Sequence, residues 1–369
     1  MTRAGRSRAG EVIRHESFDG ATARTRGRGG PDPAERGAVP VSAASPAQGP
    51  VLALDIGGTK LAAGLVDSGG AVLTQAQTAT PQGPGAGPEE LFAACLAILA
   101  DVTRTGAAPA TQRLPAYTAL GVGCSGPMRW PAGEVSPLNI PGWRGFPLRR
   151  RLEEAFGVPV RVHNDAVAGA AAEHWRGAGA GVANMLGMVV STGVGGGLIL
   201  GGKLVSGASG NAGHVGHVVA LPDGPLCPCG GYGCLEAVAA GPRLTAWARE
   251  RGWRNARPPE QATGVELAAD ARASDPVATA AIRRAGTALG VVIASVVVLC
   301  DLEVVAVGGG LSEAWDVLEP PLTETLARHM ALAYAQDVRV VPTALGATRG
   351  LIGAAALHLC GDTYWPAAH

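Results

Sequence analysis

The sequence has little lysine, few aromatic residues and no net charge. Lysine occurs only at Lys60 and Lys203 among the 30 basic residues, and aromatic residues make up 4% of the chain. The 30 acidic residues balance the basic ones, so the composition gives no reason to expect a nucleic acid or an acidic membrane as the main partner. Arginine in place of lysine, together with 55 glycines, is typical of GC-biased coding and is not taken as a functional signal.

A convincing membrane span is also missing. The best candidate, residues 285–300, is uncharged for sixteen residues, ends at Asp301 and contains Gly, Thr and Ser. Because a transmembrane helix needs about 20 apolar residues, this stretch predicts a buried core helix instead. The chain has 369 residues, 47% of them apolar, which is enough for two domains or one large two-lobed enzyme.

The first 49 residues differ from the rest in composition. They hold eight arginines and five acidic residues, with no apolar period and no apolar segment of the kind that marks a signal peptide. This composition predicts a disordered tail, or an over-extended start of the reading frame. It also offers no pair of amphipathic helices, so a helix-turn-helix DNA reader is not expected there.

Three of the seven cysteines fall within eight residues of a stretch rich in Gly and Pro. Cys227, Cys229 and Cys234 follow a C-x-C-x4-C pattern, and His217 lies ten residues upstream. One His and three Cys form a complete tetrahedral ligand set for a structural Zn²⁺ ion. The alternative is that these are free cysteines packed as small apolar side chains. The loop has no helix or strand period, which favours zinc and a reducing compartment over a disulfide framework.

A glycine-rich turn follows the first apolar run, at residues 51–55. Apolar runs and turn residues from Val51 to Ala79 predict two successive β-hairpins. In the first turn, glycines let the backbone approach an anion, a hydroxyl and an ammonium supply donors, and the preceding acid could hold Mg²⁺ directly or through water. The alternative is an ordinary hairpin turn. The residues concerned are Asp55, Gly57, Gly58, Thr59 and Lys60.

Two further segments repeat this design. Residues 185–207 predict a strand, a turn with Thr192, Gly193 and Gly195, and a second strand. Residues 303–312 predict a strand followed by a turn of three glycines, where a nucleoside could lie against the backbone. The first glycine-rich turn and the turn within residues 185–207 both lie between two predicted strands. These two β-turn-β units indicate an approximate internal duplication, which is more informative than either unit alone.

Two polar residues stand at positions typical of binding sites. Asp165 follows a predicted strand, 158–162, and precedes an Ala-rich predicted helix, 166–176. It is either an N-cap of that helix or a general base, because ligands of open α/β sheets gather at the carboxyl ends of strands. Asn139 lies in a long irregular stretch, 128–147, of a kind that often binds ligands, although such asparagines also cap turns.

Together these motifs resemble the ROK family of sugar kinases and regulators over roughly residues 50–360. The resemblance is carried by LDIGGTK at 54–60, HNDA at 163–166, STGVGGG at 191–197, Gly216-His217 with CPCGGYGCLE at 227–236, and VVAVGGG at 304–310. It implies an α/β protein with the two-lobed actin/hexokinase/Hsp70-like (ribonuclease H-like) ATPase fold and a structural zinc loop. The implied lobes are residues 50–165, joined by a C-terminal helix at 346–360, and residues 166–345.

The resemblance also implies roles for individual residues. Asp165 matches the catalytic base, 57–60 and 192–195 match the phosphate loops, and Gly308, Gly309 and Gly310 match the adenosine segment. His217 would serve zinc and sugar at once, with one ring nitrogen for each. The implied sugar-binding set is Gly126, Asn139, Asn164, Asp165, His214, His217 and Glu236. The implied cofactors are ATP, Mg²⁺ and structural Zn²⁺, and the implied protein is a cytoplasmic homodimer that binds a small sugar.

One position departs from the usual pattern of the family. The family commonly has E-x-G-H before the zinc cluster, whereas this chain has His214-Val215-Gly216-His217. A carboxylate only accepts hydrogen bonds, but an imidazole can also donate to the carbonyl of a 2-acetamido group. The surrounding residues look like those of bacterial N-acetylmannosamine kinases. We therefore expect an ATP-dependent 6-kinase for N-acetylmannosamine, with glucose as the alternative and a sugar-responsive regulator as a distant third.

Overall fold

The computed structural model describes residues 49–81, 87–104, 116–257 and 262–364. The predicted N-terminal tail, apart from Gly49, lies outside the described residues. So do most of residues 81–88, whose Pro and Gly content predicts a linker. All described residues belong to one compact unit, Ala43–His369. Its architecture consists of two five-stranded mixed sheets with helices between and around them, which confirms the predicted α/β class.

The first sheet has the order β3-β2-β1-β4-β7. Its first three strands form the two predicted hairpins, and β1, β4 and β7 run parallel. The elements of this half are β1 (Val51–Ile56), β2 (Lys60–Val66), β3 (Val72–Ala79), α1 (Pro88–Arg104), β4 (Ala119–Cys124), the short pair β5 (Met128–Arg129) and β6 (Glu134–Val135), α2 (Leu148–Phe156) and β7 (Val160–Asn164).

The second sheet has the order β10-β9-β8-β11-β12, and its three leading strands are again antiparallel while β8, β11 and β12 are parallel. This repeat of the first sheet's topology confirms the internal duplication inferred from the glycine-rich turns. Its strands are β8 (Met185–Val190), β9 (Val194–Leu200), β10 (Lys203–Leu204), β11 (Val304–Gly308) and β12 (Arg339–Pro342). The helices are α3 (Asp165–Arg176), α4 (Leu235–Ala239), α5 (Gly241–Glu250), α6 (Gly264–Arg272), α7 (Pro276–Cys300), α8 (Trp315–His329), α9 (Ala333–Gln336), α10 (Arg349–Leu359) and α11 (Gly361–Tyr364).

The sequence predicts two long helices, at residues 236–251 and 265–300, and each of them is divided in the structure. The predicted helix 265–300 is α6 and α7, separated at Ser274, whose φ is +66°, and Asp275, which caps α7. The predicted helix 236–251 is α4 and α5, with Pro242 in the first turn of α5. Proline lacks an N–H and favours an extended residue before it, so both breaks had a signal in the sequence that the apolar period outweighed.

Helices α3 and α10 lie between the two sheets. Residues of β1 alternate: Leu52 and Leu54 pack with the core around α1 and α2, whereas Val51 and Ala53 pack with α3 and α10. The contact is close, because a methyl group added at Gly121 of β4 would lie 1.8 Å from the carbonyl oxygen of Ala354 in α10. The glycine at position 121 therefore allows α10 to pack closely against β4.

The long apolar helix α7 is a core element. It passes a length and composition test for a membrane span, but 61% of its most apolar window is buried. It packs on α8 at short range, since a methyl group at Gly286 would lie 3.1 Å from the carbonyl oxygen of Leu318. The burial supports the prediction of a core helix for residues 285–300.

Candidate active site

One cavity of about 1010 Å³ lies at the carboxyl ends of strands from both sheets, where ligands of α/β sheets usually bind. It brings together nearly all residues predicted for the site. Those that line it are Asp55, Gly57, Gly58, Thr59, Lys60, Gly126, Asn139, Asn164, Asp165, Thr192, Gly193, Gly195, His214, His217, Glu236, Gly309 and Gly310. Gly308 does not line the cavity: it ends β11, and a methyl group there would lie 2.7 Å from the Thr343 side chain.

The first glycine-rich turn is held by its own backbone and by a neighbouring strand. The Gly57 N–H donates to the Lys60 carbonyl at 3.0 Å, and the Thr80 hydroxyl donates to the Gly57 carbonyl at 2.8 Å. Gly58 faces Asn139 so closely that a methyl group would lie 2.6 Å from the amide nitrogen of Asn139. The stretch 128–147 thus contacts the first glycine-rich turn through Asn139.

Asp165 opens α3, but it does not act as the cap of that helix. The side-chain oxygen of Asn164 accepts the N–H groups of Ala166 and Val167 at 3.0 and 3.2 Å, so Asn164 is the N-cap. The Asp165 carboxylate accepts the Ser125 hydroxyl at 3.0 Å and the Ala166 N–H at 2.8 Å. The interpretation of Asp165 as the N-cap of α3 is therefore wrong, because its neighbour Asn164 is the cap.

Burial raises the pKa of the Asp165 carboxyl, while the Ala166 N–H, the Ser125 hydroxyl and the charge of Arg349 act in the opposite direction. Burial and the negative charge of Asp165 also raise the pKa of the Asp55 carboxyl to about 7, against the charges of Arg349 and Lys60. Two carboxylates in one partly dehydrated cavity favour a bound cation. The Asp55 carboxylate therefore fits Mg²⁺, a hard cation that binds carboxylate oxygens.

The second glycine-rich turn is tied to the helix that follows the cysteines. The Ser191 N–H donates to the Gly193 carbonyl at 2.8 Å, and the Gly241 N–H donates to the Ser191 carbonyl at 2.8 Å. The Glu236 carboxylate accepts the Val194 N–H at 2.9 Å. Glu236 therefore supports the turn directly, a role the sequence did not suggest.

The four predicted zinc ligands converge. Their ligand atoms all lie within 4.8 Å of one another. Cys229 Sγ lies 3.7 Å from Cys234 Sγ, and Cys227 Sγ lies 3.7 Å from His217 Nδ1. A tetrahedral ion with Zn–S bonds of about 2.3 Å places its sulfur ligands about 3.8 Å apart. The donor set and its spacing fit a structural zinc ion. His217 also lines the cavity, so its ring lies between the ligand cluster and the cavity.

His214 lies beside His217, with ring centroids 6.2 Å apart and planes inclined by 20°. Its Nδ1 is 2.8 Å from the carbonyl oxygen of Asn211, and because a carbonyl only accepts, Nδ1 carries the hydrogen. Its Nε2 faces Gly126, where an added methyl group would lie 3.0 Å from both Nε2 and the Asn164 amide nitrogen. In the neutral imidazole, Nε2 is then a hydrogen-bond acceptor.

Sequence reasoning missed several residues of the cavity. Ser125, the donor to Asp165, stands directly after β4, and its place at a strand end was the available signal. Thr343 and Arg349 also line the cavity. No motif pointed to them, because they reach the cavity only through the packing of α10 against α3 and β4.

Comparisons with known proteins agree with this architecture. The model of the ROK family matches residues 51–360. A glucokinase from Streptomyces coelicolor is 33% identical over 323 residues, covering 84% of this chain and 97% of the relative. An N-acetylmannosamine kinase from Yersinia pseudotuberculosis is 37% identical over 268 residues, covering 73% of this chain and 85% of the relative.

A solved structure gives the same result for the fold. The structure of a ROK family glucokinase from Streptomyces griseus, in complex with glucose and AMPPNP, matches with a TM-score of 0.73 at 33% identity. The match covers 84% of this chain and 99% of that chain. The fold is thus the actin/hexokinase-like fold that the resemblance implied, and the chain belongs to the ROK family.

Proposed function

We propose that this chain is an ATP-dependent sugar kinase that transfers the terminal phosphoryl group of ATP to the 6-hydroxyl of a hexose. The observation that carries the proposal is the position of Asp165, which lines one cavity together with two glycine-rich turns of duplicated topology. Phosphoryl transfer needs little covalent chemistry from the protein: a base for the hydroxyl, donors for the phosphate oxygens, and a cavity that excludes water.

In the proposed reaction, the sugar 6-oxygen forms a bond to the terminal phosphorus while the bond from that phosphorus to ADP breaks. The hydroxyl proton passes to Asp165. Hydrogen bonds from Ser125 and Ala166 hold this carboxylate in place. Burial moves the pKa of Asp165 upward, towards the range in which a general base works best.

The glycine-rich turns would supply donors to the phosphates. Both turns line the cavity, and they carry the hydroxyls of Thr59 and Thr192 and the ammonium of Lys60. Asp55 would hold Mg²⁺ directly or through water, and a bound Mg²⁺ would neutralise phosphate charge. Cys227, Cys229, Cys234 and His217 would hold zinc, which would fix the ring of His217 beside the sugar.

The identity of the sugar depends on His214. Our expectation of N-acetylmannosamine used a donor at this position, but Nδ1 already donates to the Asn211 carbonyl. A neutral His214 therefore offers the cavity an acceptor, which suits a sugar hydroxyl and not an acetamido carbonyl. We propose glucose as the first candidate substrate. N-acetylmannosamine is the second, since the kinase of that name from Yersinia is 37% identical to this chain.

A coupled assay of ADP release tests both the kinase activity and the identity of the sugar. The panel is glucose, N-acetylmannosamine, N-acetylglucosamine, mannose and fructose, each with ATP and Mg²⁺. Turnover on one or more hexoses supports the kinase, and the ratio of kcat/KM values assigns the substrate. Absence of turnover on every sugar, with a folded and zinc-loaded protein, would reject the proposal.

A further inference from the structure

Arg349, the first residue of α10, lines the cavity with its side chain. The side chain is half-buried and lines the same cavity as Asp55 and Asp165. Its Nη1 lies 3.4 Å from the Met188 carbonyl in β8, and a methyl group at Gly169 of α3 would lie 3.2 Å from the same nitrogen. Backbone from β8 and α3 therefore holds one side of the guanidinium.

No carboxylate of the described residues forms an ion pair with Arg349. Two of the three nearby acids, Glu173 and Asp165, have hydrogen-bond partners of their own. Glu173 accepts the N–H groups of Ala178, Ala344 and Leu345 at 2.9 to 3.1 Å. Asp165 is held by Ser125 and Ala166, as described above. Arg349 thus has only one long hydrogen bond of its own and retains most of its donor capacity.

Burial lowers the pKa of the Arg349 guanidinium, and the charges of Glu173, Asp55 and Asp165 raise it in compensation. Arginine remains a cation in proteins, so the positive charge stays in a partly dehydrated place. Such a charge is costly to the fold unless an anion completes its hydrogen bonds. The described part of the chain supplies acids at a distance and no direct partner, which indicates that a ligand supplies the partner.

We propose that Arg349 binds the terminal phosphate of the nucleotide and holds it between the first glycine-rich turn and Asp165. The proposal rests on the proposed kinase function. It follows from the position of the guanidinium, which shares the cavity with both Asp55 and Asp165. A guanidinium binds two phosphate oxygens at once and can follow the phosphoryl group as its charge spreads during transfer.

A purely electrostatic role is the competing explanation. In that case Arg349 would only hold Asp165 and Asp55 ionised and would not touch the nucleotide. The two roles differ in which ligand they affect. A contact with the terminal phosphate weakens the binding of a triphosphate but not of a diphosphate, whereas a charge acting through Asp165 affects turnover and its pH profile without that selectivity.

Calorimetric titration with Mg²⁺–AMPPNP and with Mg²⁺–ADP distinguishes the two roles. We expect Arg349→Met to weaken AMPPNP binding by at least roughly tenfold while ADP binding changes by less than about threefold, as for loss of a charge-assisted hydrogen bond. Arg349→Lys should give an intermediate loss, because an ammonium does not match two oxygens. Turnover of Arg349→Met should fall by roughly a hundredfold or more.

The matched control is Arg150→Met, which removes the same charge from an exposed position of α2, 70% accessible, outside the cavity. Thermal melting checks that each variant folds, and if Arg349→Met does not, Arg349→Lys carries the same comparison. An unchanged ratio of AMPPNP to ADP affinity in a folded Arg349 variant would overturn the proposal while leaving the kinase intact. A wild-type protein that binds neither nucleotide would overturn the kinase proposal, and Arg349's role with it.

Discussion

The Glu236 carboxylate accepts a hydrogen bond from the backbone N–H of Val194 at 2.9 Å. Glu236 lies in the first turn of α4, two residues after the zinc-ligand position Cys234, and Val194 begins β9 directly after the second glycine-rich turn. This hydrogen bond thus links the segment that follows the cysteine cluster to the turn that is proposed to bind phosphate. Glu236 also lines the cavity, so both the turn and a bound sugar depend on where the cluster places it.

We expect Glu236→Ala to raise the KM for ATP as well as the KM for the sugar. Loss of a hydrogen bond to a charged acceptor is worth about 1.5–3 kcal/mol, so the KM for ATP should rise roughly tenfold or more. Glu236→Gln is the matched control, because its amide oxygen can still accept from Val194 and most of the ATP affinity should remain. Steady-state kinetics in both substrates measures this. An unchanged KM for ATP in the alanine variant would show that the hydrogen bond between Glu236 and Val194 does not contribute to ATP binding.

Removal of one cysteine ligand tests the zinc assignment. We expect wild-type protein to contain one zinc ion per chain and Cys229→Ser to lose it, because the metal needs its full set of ligands. The variant should melt at a lower temperature and lose affinity for both substrates, since Glu236 would no longer be fixed. Elemental analysis and calorimetry are the measurements.

Cys300→Ser is the control for the zinc experiment. Cys300 ends α7 and is not one of the four clustered ligands, so its replacement should leave the zinc content unchanged. If Cys229→Ser kept both its metal content and its melting temperature, the four converging side chains would not be a zinc site.

The contiguous motifs of this chain predicted the parts of the site that are local in sequence. The turns after β1 and β8 were recognisable because glycines and hydroxyl residues stand side by side in each. Arg349 was not predictable in this way. Its contacts come from Gly169 and Met188, more than 150 residues earlier in the chain, and only the packing of α10 between the sheets brings them together.

The hydrogen-bond role of His214 could not be predicted for a related reason. The residue type was correct, but its hydrogen-bond role depends on the Asn211 carbonyl, a backbone atom whose direction the sequence does not give. The breaks before α5 and α7 were different, since Pro242 and Pro276 were visible in the sequence. There the apolar period was given more weight than the prolines, which was an error of interpretation.

Asp165→Asn tests the proposed base. We expect the variant to bind sugar and nucleotide normally but to lose at least roughly a hundredfold in kcat, because an amide cannot take the hydroxyl proton. Asp67→Asn is a matched control, since the Asp67 carboxylate accepts the N–H groups of Gly69 and Ala71 in an exposed turn outside the cavity. Near-normal turnover of Asp165→Asn, with unchanged melting, would remove Asp165 from the mechanism.

The raised pKa of Asp55, about 7, predicts a pH dependence of stability in the absence of ligands. In the unfolded chain the carboxyl ionises near its ordinary value of 3.8. The folded protein therefore holds this proton more tightly, and the contribution of Asp55 to stability should be greatest below pH 4 and be lost as pH rises towards 7. This single group would contribute roughly 2–4 kcal/mol over that interval.

Asp55→Asn isolates this effect from other titrating groups. The difference in unfolding free energy between wild type and variant should change across pH 4 to 7 and stay constant above, measured by denaturant titration without Mg²⁺. Added Mg²⁺ should stabilise the wild type more than the variant at pH 7, since the ionised carboxylate binds the cation. A difference that does not depend on pH would mean that Asp55 titrates normally in the fold.

His214→Glu decides whether this position offers an acceptor to the sugar. Because neutral His214 already presents Nε2 as an acceptor, we expect the Glu variant to keep glucose turnover within roughly tenfold, as replacement of one acceptor by another allows. His214→Leu removes the acceptor and should raise the KM for glucose by at least roughly tenfold. The comparison is made by kcat/KM for glucose and N-acetylmannosamine in all three proteins. If the Glu variant lost activity as severely as the Leu variant, His214 would act as a donor, and the acetamido sugar would become the better candidate.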